Sequence, residues 1–211
     1  LTLNGSELSE DVRPDMTLFD FCRAHGYKSV KCACETSNCG LCTVLLDGEP
    51  VLSCSVLMAR VDGHEVTTLE GMRDGRRELL AQCLAEEGAE QCGFCAPGLE
   101  MAVLALDAAH PGADDETVRR YLSGNLCRCS GYASQMRAIR RFLARHTNGG
   151  ELPPREVPDD PTTESGEKHA RIARPVAKKD SGALLAGAPV YTADLAPEGA
   201  LVVKLVRSRH A

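Results

Sequence analysis

The cysteines constrain this chain more than any other feature of its sequence, because there are 11 of them among 211 residues. Eight fall into two ordered quartets: Cys34, Cys39, Cys42 and Cys54, then Cys92, Cys95, Cys127 and Cys129. An odd number of cysteines does not suit a disulfide framework, and the thiols of a reducing compartment more often bind metal. We therefore predict metal centres rather than a set of disulfide bonds.

The first quartet has C-x4-C-x2-C spacing from Cys34 to Cys42, and Cys54 follows after eleven residues. This is the spacing of a plant-type [2Fe-2S] centre. Four thiolates must surround two irons, and residues 35–38 and Gly40 are small or turn-tolerant enough to form a loop whose backbone N–H groups face the sulfurs. A structural zinc site is the alternative, which the uneven spacing suits less well.

The second quartet consists of Cys92-x2-Cys95, a gap of 31 residues, and Cys127-x-Cys129. Both pairs lie where predicted helices begin or end, so antiparallel helices can bring them together at one end of a bundle. Helix N-termini there would favour negatively charged thiolates. On spacing alone, a zinc site remains an open alternative for this quartet.

The first part of the chain has the alternating pattern of short strands. Asn4-Gly5 and Asp47-Gly48 each separate two such stretches, which predicts two β-hairpins. Between them, apolar residues from 16 to 22 have helical spacing, with Asp15 as a candidate N-cap. Residues 66–69 are predicted to form a last strand.

From Arg76 onward the apolar period changes to about 3.6 residues, which indicates helices. Four helices are predicted, around residues 79–84, 99–106, 118–122 and 136–143. Pro97 suits a first helical turn, Asp114 can cap the third helix and Ser134 can begin the fourth. The sequence thus predicts an α+β protein in which a strand-rich part precedes a helical part.

The rest of the chain differs in composition. Residues 147–168 are rich in proline and glycine and almost free of apolar side chains, which predicts a linker over residues 148–172. Residues 201–206 are predicted to form a strand, but too few residues follow the linker to close a core of their own. The tail is therefore expected to pack against another structure.

The residues between the cysteines form a more specific pattern. The strings are CETSNCGLC at 34–42, SC at 53–54, QCGFCAPG at 91–98 and SGNLCRCSGY at 123–132. Over roughly residues 1–147 the chain resembles the iron–sulfur part of the xanthine dehydrogenase family of molybdenum hydroxylases. Four positions depart from the usual family residue without removing a cysteine: Ala33, Leu41, Ala96 and Ser130.

The resemblance implies a β-grasp, plant-type ferredoxin domain over residues 1–74 and a four-helix-bundle domain over 75–147. Each would bind one [2Fe-2S] cluster through its cysteine quartet. The side-chain amide of Gln91 and the sulfur of Cys129 would approach the pterin of a molybdopterin cofactor held by a partner catalytic subunit. The tail, 173–211, is similar to the opening of the family's molybdenum-binding subunit at residues 174–176, 187–195 and 206–211, which implies the start of a fused domain.

The function that this resemblance implies is electron transfer from the molybdenum site, through both clusters, to FAD in another subunit or to a different acceptor. Hydroxylation of xanthine or a related purine is the preferred activity, because the tail is most like fused purine-type hydroxylases. Aldehyde or carbon monoxide oxidation is the close alternative. A zinc-stabilised structural module is the alternative from a different class, and a free-standing ferredoxin would leave the second quartet and the tail without a purpose.

Composition excludes other functions. With 24 basic against 30 acidic residues the formal net charge is −6, which argues against nucleic acid as a partner. No apolar run reaches the ~18 residues of a membrane span, and the N-terminus lacks the layout of a signal peptide. We expect a cytoplasmic protein whose partners are other proteins or small molecules.

Overall fold

The computed structural model of the chain describes residues 1–154, 178–188, 191–195, 199–208 and 210. It has an α+β architecture, as predicted. The strands are β1 (Thr2–Leu3), β2 (Ser6–Glu7), β3 (Thr43–Leu46), β4 (Glu49–Leu52) and β5 (Glu65–Thr67). The helices are α1 (Leu18–Ala24), α2 (Arg76–Glu86), α3 (Ala96–Ala109), α4 (Asp115–Tyr121), α5 (Ala133–Ala144) and α6 (Ser181–Leu185).

The five strands form one mixed sheet in the order β2-β1-β5-β3-β4. β1 and β5 are parallel, whereas the other neighbouring pairs are antiparallel. Both predicted hairpins are present, and the two central residues of each turn, Asn4-Gly5 and Asp47-Gly48, have positive φ. This is the backbone of a type I′ turn, whose twist matches that of the flanking strands.

Helix α1 packs against this sheet. It buries Leu18, Phe21 and Cys22 in a core that includes Leu3 and Val44 from the strands. The predicted N-cap at Asp15 is wrong. Thr17 caps the helix instead, and its hydroxyl accepts the backbone N–H of the residue three positions later, because it directly precedes the first helical residue.

Helices α2 to α5 occupy the four segments predicted to be helical. Their apolar faces meet in a second core that includes Leu80, Leu104, Ile139 and Phe142. Asp114 caps α4 as predicted, since its carboxylate accepts the backbone N–H of Thr117 at 2.9 Å. Helix α5 begins one residue before the predicted Ser134.

The tail only partly matches its prediction. Helix α6 buries Leu184 and Leu185 against the rest of the protein. The predicted strand at 201–206 is wrong, because these residues form no strand and Leu201 and Val206 are 95% and 98% exposed. A strand needs a hydrogen-bonded neighbour, and no strand lies beside this segment in the described residues.

Part of the predicted linker, residues 155–172, and the tail motif at 174–176 lie outside the described residues. Among the helices that are described, none is both long and apolar enough to cross a membrane.

Candidate metal centres

The loop that carries the first three cysteines turns tightly around Cys34. Glu35, Ser37 and Gly40 all have positive φ, so the backbone repeatedly reverses direction. The N–H of Asn38 points at the Cys34 sulfur, 3.3 Å away. Hydrogen bonds from the backbone N–H groups of Thr36 and Asn38 lower the pKa of Cys34 to about 6. The loop thus favours a thiolate at this position.

The remaining cysteines of the first quartet join this loop. Cys39 interacts with Cys34, and Cys42 interacts with Cys54. The hydroxyl of Ser37 lies 3.5 Å from the Cys54 sulfur, which links the loop to the end of β4. Burial raises the pKa of Cys42 to about 12, and the Cys54 thiol reinforces this.

The cysteines of the second quartet lie just before two helices. Cys92 and Cys95 precede α3, and Cys127 and Cys129 precede α5. The sulfurs of Cys92 and Cys129 are 3.7 Å apart, and Cys95 interacts with Cys127. The Cys127 sulfur accepts the backbone N–H of Ser130 at 3.4 Å. Burial, reinforced by Cys127, raises the pKa of Cys95 to about 12. The predicted meeting of the two cysteine pairs is present.

The donor set fits a two-iron cluster at each place. The described residues hold no group of three or more histidine, cysteine, aspartate or glutamate side chains placed around one metal ion. The hydrogen-bonding interactions between thiols join Cys34 with Cys39, Cys42 with Cys54, Cys92 with Cys129, and Cys95 with Cys127, and in the second quartet the two pairs also interact electrostatically. A [2Fe-2S] cluster takes two protein ligands on each iron, so two pairs per quartet suit it.

Three cysteines lie outside the quartets. Cys22 and Cys83 are buried in the two cores, where burial raises their pKa values to about 12 and about 11. Cys32 is half-buried. Cys22 and Cys83 therefore pack in the cores in the way that small apolar side chains do.

The two quartets adjoin each other across the boundary between the sheet and the helices. The backbone N–H of Leu126, which precedes Cys127, donates to the carbonyl of Cys39 at 2.9 Å. The Asn125 amide donates to the carbonyls of Gly40 and Gly98, at 3.3 Å each. These contacts could not be predicted from the sequence, although the glycines and Asn125 lie inside the cysteine motifs.

This close approach depends on Gly98. A Cβ atom at Gly98 would lie 2.5 Å from the Gly40 carbonyl oxygen and 2.9 Å from the Cα of Leu41. Both distances are too short for any side chain. Glycine at this position therefore lets α3 touch the first cysteine loop directly.

Gln91 and Cys129 share one exposed edge of the protein. The Gln91 amide donates to the backbone carbonyl of Cys129 at 3.0 Å, and both residues are exposed, as is Cys92. The two residues that were predicted to approach a pterin are thus brought together, at the surface.

Comparisons with known proteins agree with these features. Residues 1–63 match the family model of a 2Fe-2S iron-sulfur cluster binding domain, and residues 68–140 match that of a [2Fe-2S] binding domain. The nicotinate dehydrogenase small FeS subunit of Eubacterium barkeri is 41% identical over 150 residues, covering 70% of this chain and 96% of that subunit. The prediction of two [2Fe-2S]-binding domains is confirmed.

Two further proteins extend the comparison. The xanthine dehydrogenase iron-sulfur-binding subunit of Escherichia coli O157:H7 is 44% identical over 135 residues, which is 62% of this chain and 84% of that subunit. The crystal structure of the aldehyde oxidoreductase from Desulfovibrio desulfuricans superposes with a TM-score of 0.78 at 31% identity. That alignment covers 94% of this chain but only 22% of the oxidoreductase, so the chain spans about a fifth of that protein.

Proposed function

Because the chain belongs to the xanthine dehydrogenase family of molybdenum hydroxylases, as an iron–sulfur part of such an enzyme, we propose that it conducts electrons from a molybdenum site in a catalytic partner. The receiving group would be FAD in another subunit or a different acceptor. A bound [2Fe-2S] cluster supplies one-electron redox chemistry, which suits a molybdenum centre that must release two electrons one at a time.

The proposed ligands are the eight cysteines of the quartets. Cys34, Cys39, Cys42 and Cys54 would hold the first cluster, and Cys92, Cys95, Cys127 and Cys129 the second. Their grouping in pairs and the backbone N–H groups directed at Cys34 and Cys127 support this assignment. Such N–H groups stabilise negative charge on sulfur and tune the potential of a cluster.

The observation that carries the proposal is the contact between Leu126 and Cys39. Through it, two proposed ligands, Cys39 and Cys127, are connected by covalent bonds and a single hydrogen bond of 2.9 Å. Two cysteine quartets on separate domains would not need such a junction if each only stabilised its own domain. The junction supports a role in which electrons pass from one domain to the other.

The proposed direction of electron transfer is based on the exposed edge at Gln91 and Cys129. We propose that this edge faces the pterin of the partner's molybdopterin cofactor, with the Gln91 amide as a hydrogen-bond donor and Cys129 as the nearest ligand. The bond from Gln91 to the Cys129 carbonyl holds the two residues together for this contact. Electrons would then leave through the first quartet.

We further propose the finer architecture that the resemblance implied. The mixed sheet with α1 supports a β-grasp, ferredoxin-like domain over 1–74, and helices α2 to α5 support a four-helix bundle over 75–147. Residues 148–172 would be a linker and 173–211 the start of a molybdenum-binding domain. The alignment over 94% of this chain with the Desulfovibrio desulfuricans aldehyde oxidoreductase supports a tail that continues into such a domain.

For the whole enzyme we propose hydroxylation of xanthine or a related purine. Relatives named as xanthine and caffeine dehydrogenase subunits support this choice. Aldehyde oxidation is the second candidate, favoured by the superposition on aldehyde oxidoreductase, and carbon monoxide oxidation stays a further alternative. A zinc-stabilised module is set aside because each half matches a [2Fe-2S] model.

We also propose that the protein is cytoplasmic. Eight of its 11 cysteines are the proposed cluster ligands. A reducing compartment preserves such thiols for metal binding.

The proposal is tested by elemental analysis and electron paramagnetic resonance (EPR) of the natively purified complex. About four irons and about one molybdenum per chain, without zinc, are expected, together with two distinct reduced [2Fe-2S] signals. Cys129→Ser should alter the second signal and slow its reduction by substrate while the first signal persists. Cys32→Ser, which changes a cysteine outside both quartets, should change neither signal. Zinc in place of iron would refute the proposal.

A further inference from the structure

A segment of the tail lies over the loop of the second quartet. This segment, residues 178–188 and 191–195, is called the clasp below. The Lys178 ammonium donates to the backbone carbonyl of Gln91 at 2.5 Å, and the hydroxyl of Ser181 donates to the Glu90 carboxylate. Leu184 lies directly against Gly93, where a Cβ atom would come within 2.6 Å of it. The clasp therefore fits closely against the Cys92–Cys95 loop.

Tyr191 extends this contact to the backbone of a proposed ligand. Its hydroxyl donates to the carbonyl of Cys92 at 2.5 Å. Its ring meets the Phe94 ring edge-on, with centroids 4.9 Å apart. The ammonium group of Lys31 lies 4.8 Å from the centre of the Tyr191 ring and 6.0 Å from that of Phe94. Three side chains from separate parts of the chain thus meet beside the second quartet.

Asp194 connects the clasp to the other domain. Its carboxylate accepts hydrogen bonds from Lys31 at 2.6 Å and from Arg23 at 2.8 Å. The side chains of Lys31 and Asp194 are both only 2% exposed. Lys31 precedes Cys34 by three residues, at the entrance to the first cysteine loop.

Because the Lys31 ammonium and the Asp194 carboxylate are almost fully buried, each restricts the position of the other. A buried ammonium group that loses its carboxylate partner is strongly unfavourable, because the lost hydrogen bond is not replaced and only the more distant charge of Glu70 still attracts it. The carboxylate therefore has to stay where both cations reach it. Through Tyr191, three residues earlier, the same stretch is bonded to Cys92. Residues 191–194 therefore contact both cysteine loops, through Tyr191 at Cys92 and through Asp194 at Lys31.

We propose that Asp194 is a positioning residue that closes the clasp over the Cys92–Cys95 loop and fixes the two cysteine quartets relative to each other. The closing of the clasp is a property of the chain's own contacts. Its consequence, a constant geometry for electron transfer between the clusters, rests on the proposed function. The Leu126 and Asn125 contacts join the quartets on one side, and the clasp adds a second, independent attachment.

Hydrogen exchange measured by mass spectrometry on the iron-loaded full chain tests this directly. In Asp194→Asn, amides of residues 184–188 and 93–95 should exchange about tenfold faster or more, because the clasp opens without global unfolding. Amides of α5 should keep their rates. The control Asp15→Asn, which changes an exposed carboxylate paired with Arg13, should match the wild type throughout.

A second variant guards against a chain that fails to fold. Tyr191→Phe keeps the ring contact with Phe94 and removes only the hydroxyl bond to Cys92. It should raise exchange in the same two segments by a smaller factor. Unchanged exchange in 184–188 and 93–95 for Asp194→Asn would overturn the proposal. If Asp194→Asn does not assemble, unchanged exchange in Tyr191→Phe overturns it.

EPR separates this proposal from the proposed function. When both clusters of the wild type are reduced, their magnetic interaction should split the EPR signals by one well-defined amount. In Asp194→Asn this splitting should become smaller or broader while both signals persist. An identical interaction in the two proteins would show that the clasp does not position the quartets. A wild type without reducible clusters would refute electron transfer and leave the exchange result to decide on the clasp.

Discussion

Glu100 lies in the middle of the helical core, and replacing it with glutamine should change how the stability of the protein depends on pH. The residue is fully buried in α3, and neither carboxylate oxygen has a hydrogen-bond partner. Burial raises its pKa well above the usual value. The nearby Arg77 opposes this shift, whereas Glu78 and Glu90 reinforce it. Glu100 is therefore expected to keep its proton in the folded protein where it would lose it in the unfolded chain.

The size of the effect follows from proton linkage. Between the pKa of the unfolded chain, about 4.3, and the higher pKa of the folded state, the folded protein binds one more proton. Stability due to Glu100 is thus intact below the unfolded value and falls by about 1.4 kcal/mol per pH unit as pH rises through this window. For a chain of this size, that equals a loss of about 3–6 °C in melting temperature per pH unit.

The assay compares the melting temperature of the iron-loaded wild type and Glu100→Gln at pH values from about 5 to about 8. Glutamine does not titrate, so the melting temperature of the variant should rise steadily relative to that of the wild type as pH rises. Glu7→Gln, which changes an exposed carboxylate on β2, should follow the wild type. A difference between wild type and Glu100→Gln that is constant over this range would refute the reasoning.

Two further predictions concern local geometry, and both are measured as melting temperatures of the iron-loaded chain. Gly98→Ala should destabilise the protein by about 1–3 kcal/mol, because the added Cβ would overlap the Gly40 carbonyl. Gly124→Ala is the control and should have little effect, because no atom lies within 4 Å of its added Cβ. Thr17→Ala should cost about 1 kcal/mol, or about 2–4 °C, through loss of the α1 cap, and Asp15→Ala should cost less. Equal effects of the last two variants would contradict the assignment of Thr17 as the cap.

The sequence was most informative where local chemistry decides the structure. Positive φ at two consecutive residues suits Asn-Gly and Asp-Gly, so both hairpins could be predicted from the turn residues alone. The four helical segments followed from apolar spacing, and the cap at Asp114 from its position before α4. The meeting of Cys92 with Cys129 could be predicted because the cysteines lie at helix ends.

What the sequence could not supply depends on contacts between distant residues. Nothing near Lys31 shows that its charge is neutralised by Asp194, which lies 163 positions later. The strand predicted at 201–206 failed for the same reason, since apolar and β-branched residues become a strand only where a neighbouring strand accepts their hydrogen bonds. The contact between Leu126 and Cys39 uses backbone atoms only, and no side-chain pattern reports it. The elements that bind iron could therefore be found from the cysteines, whereas the junctions that bring the two quartets together emerge only from the folded chain.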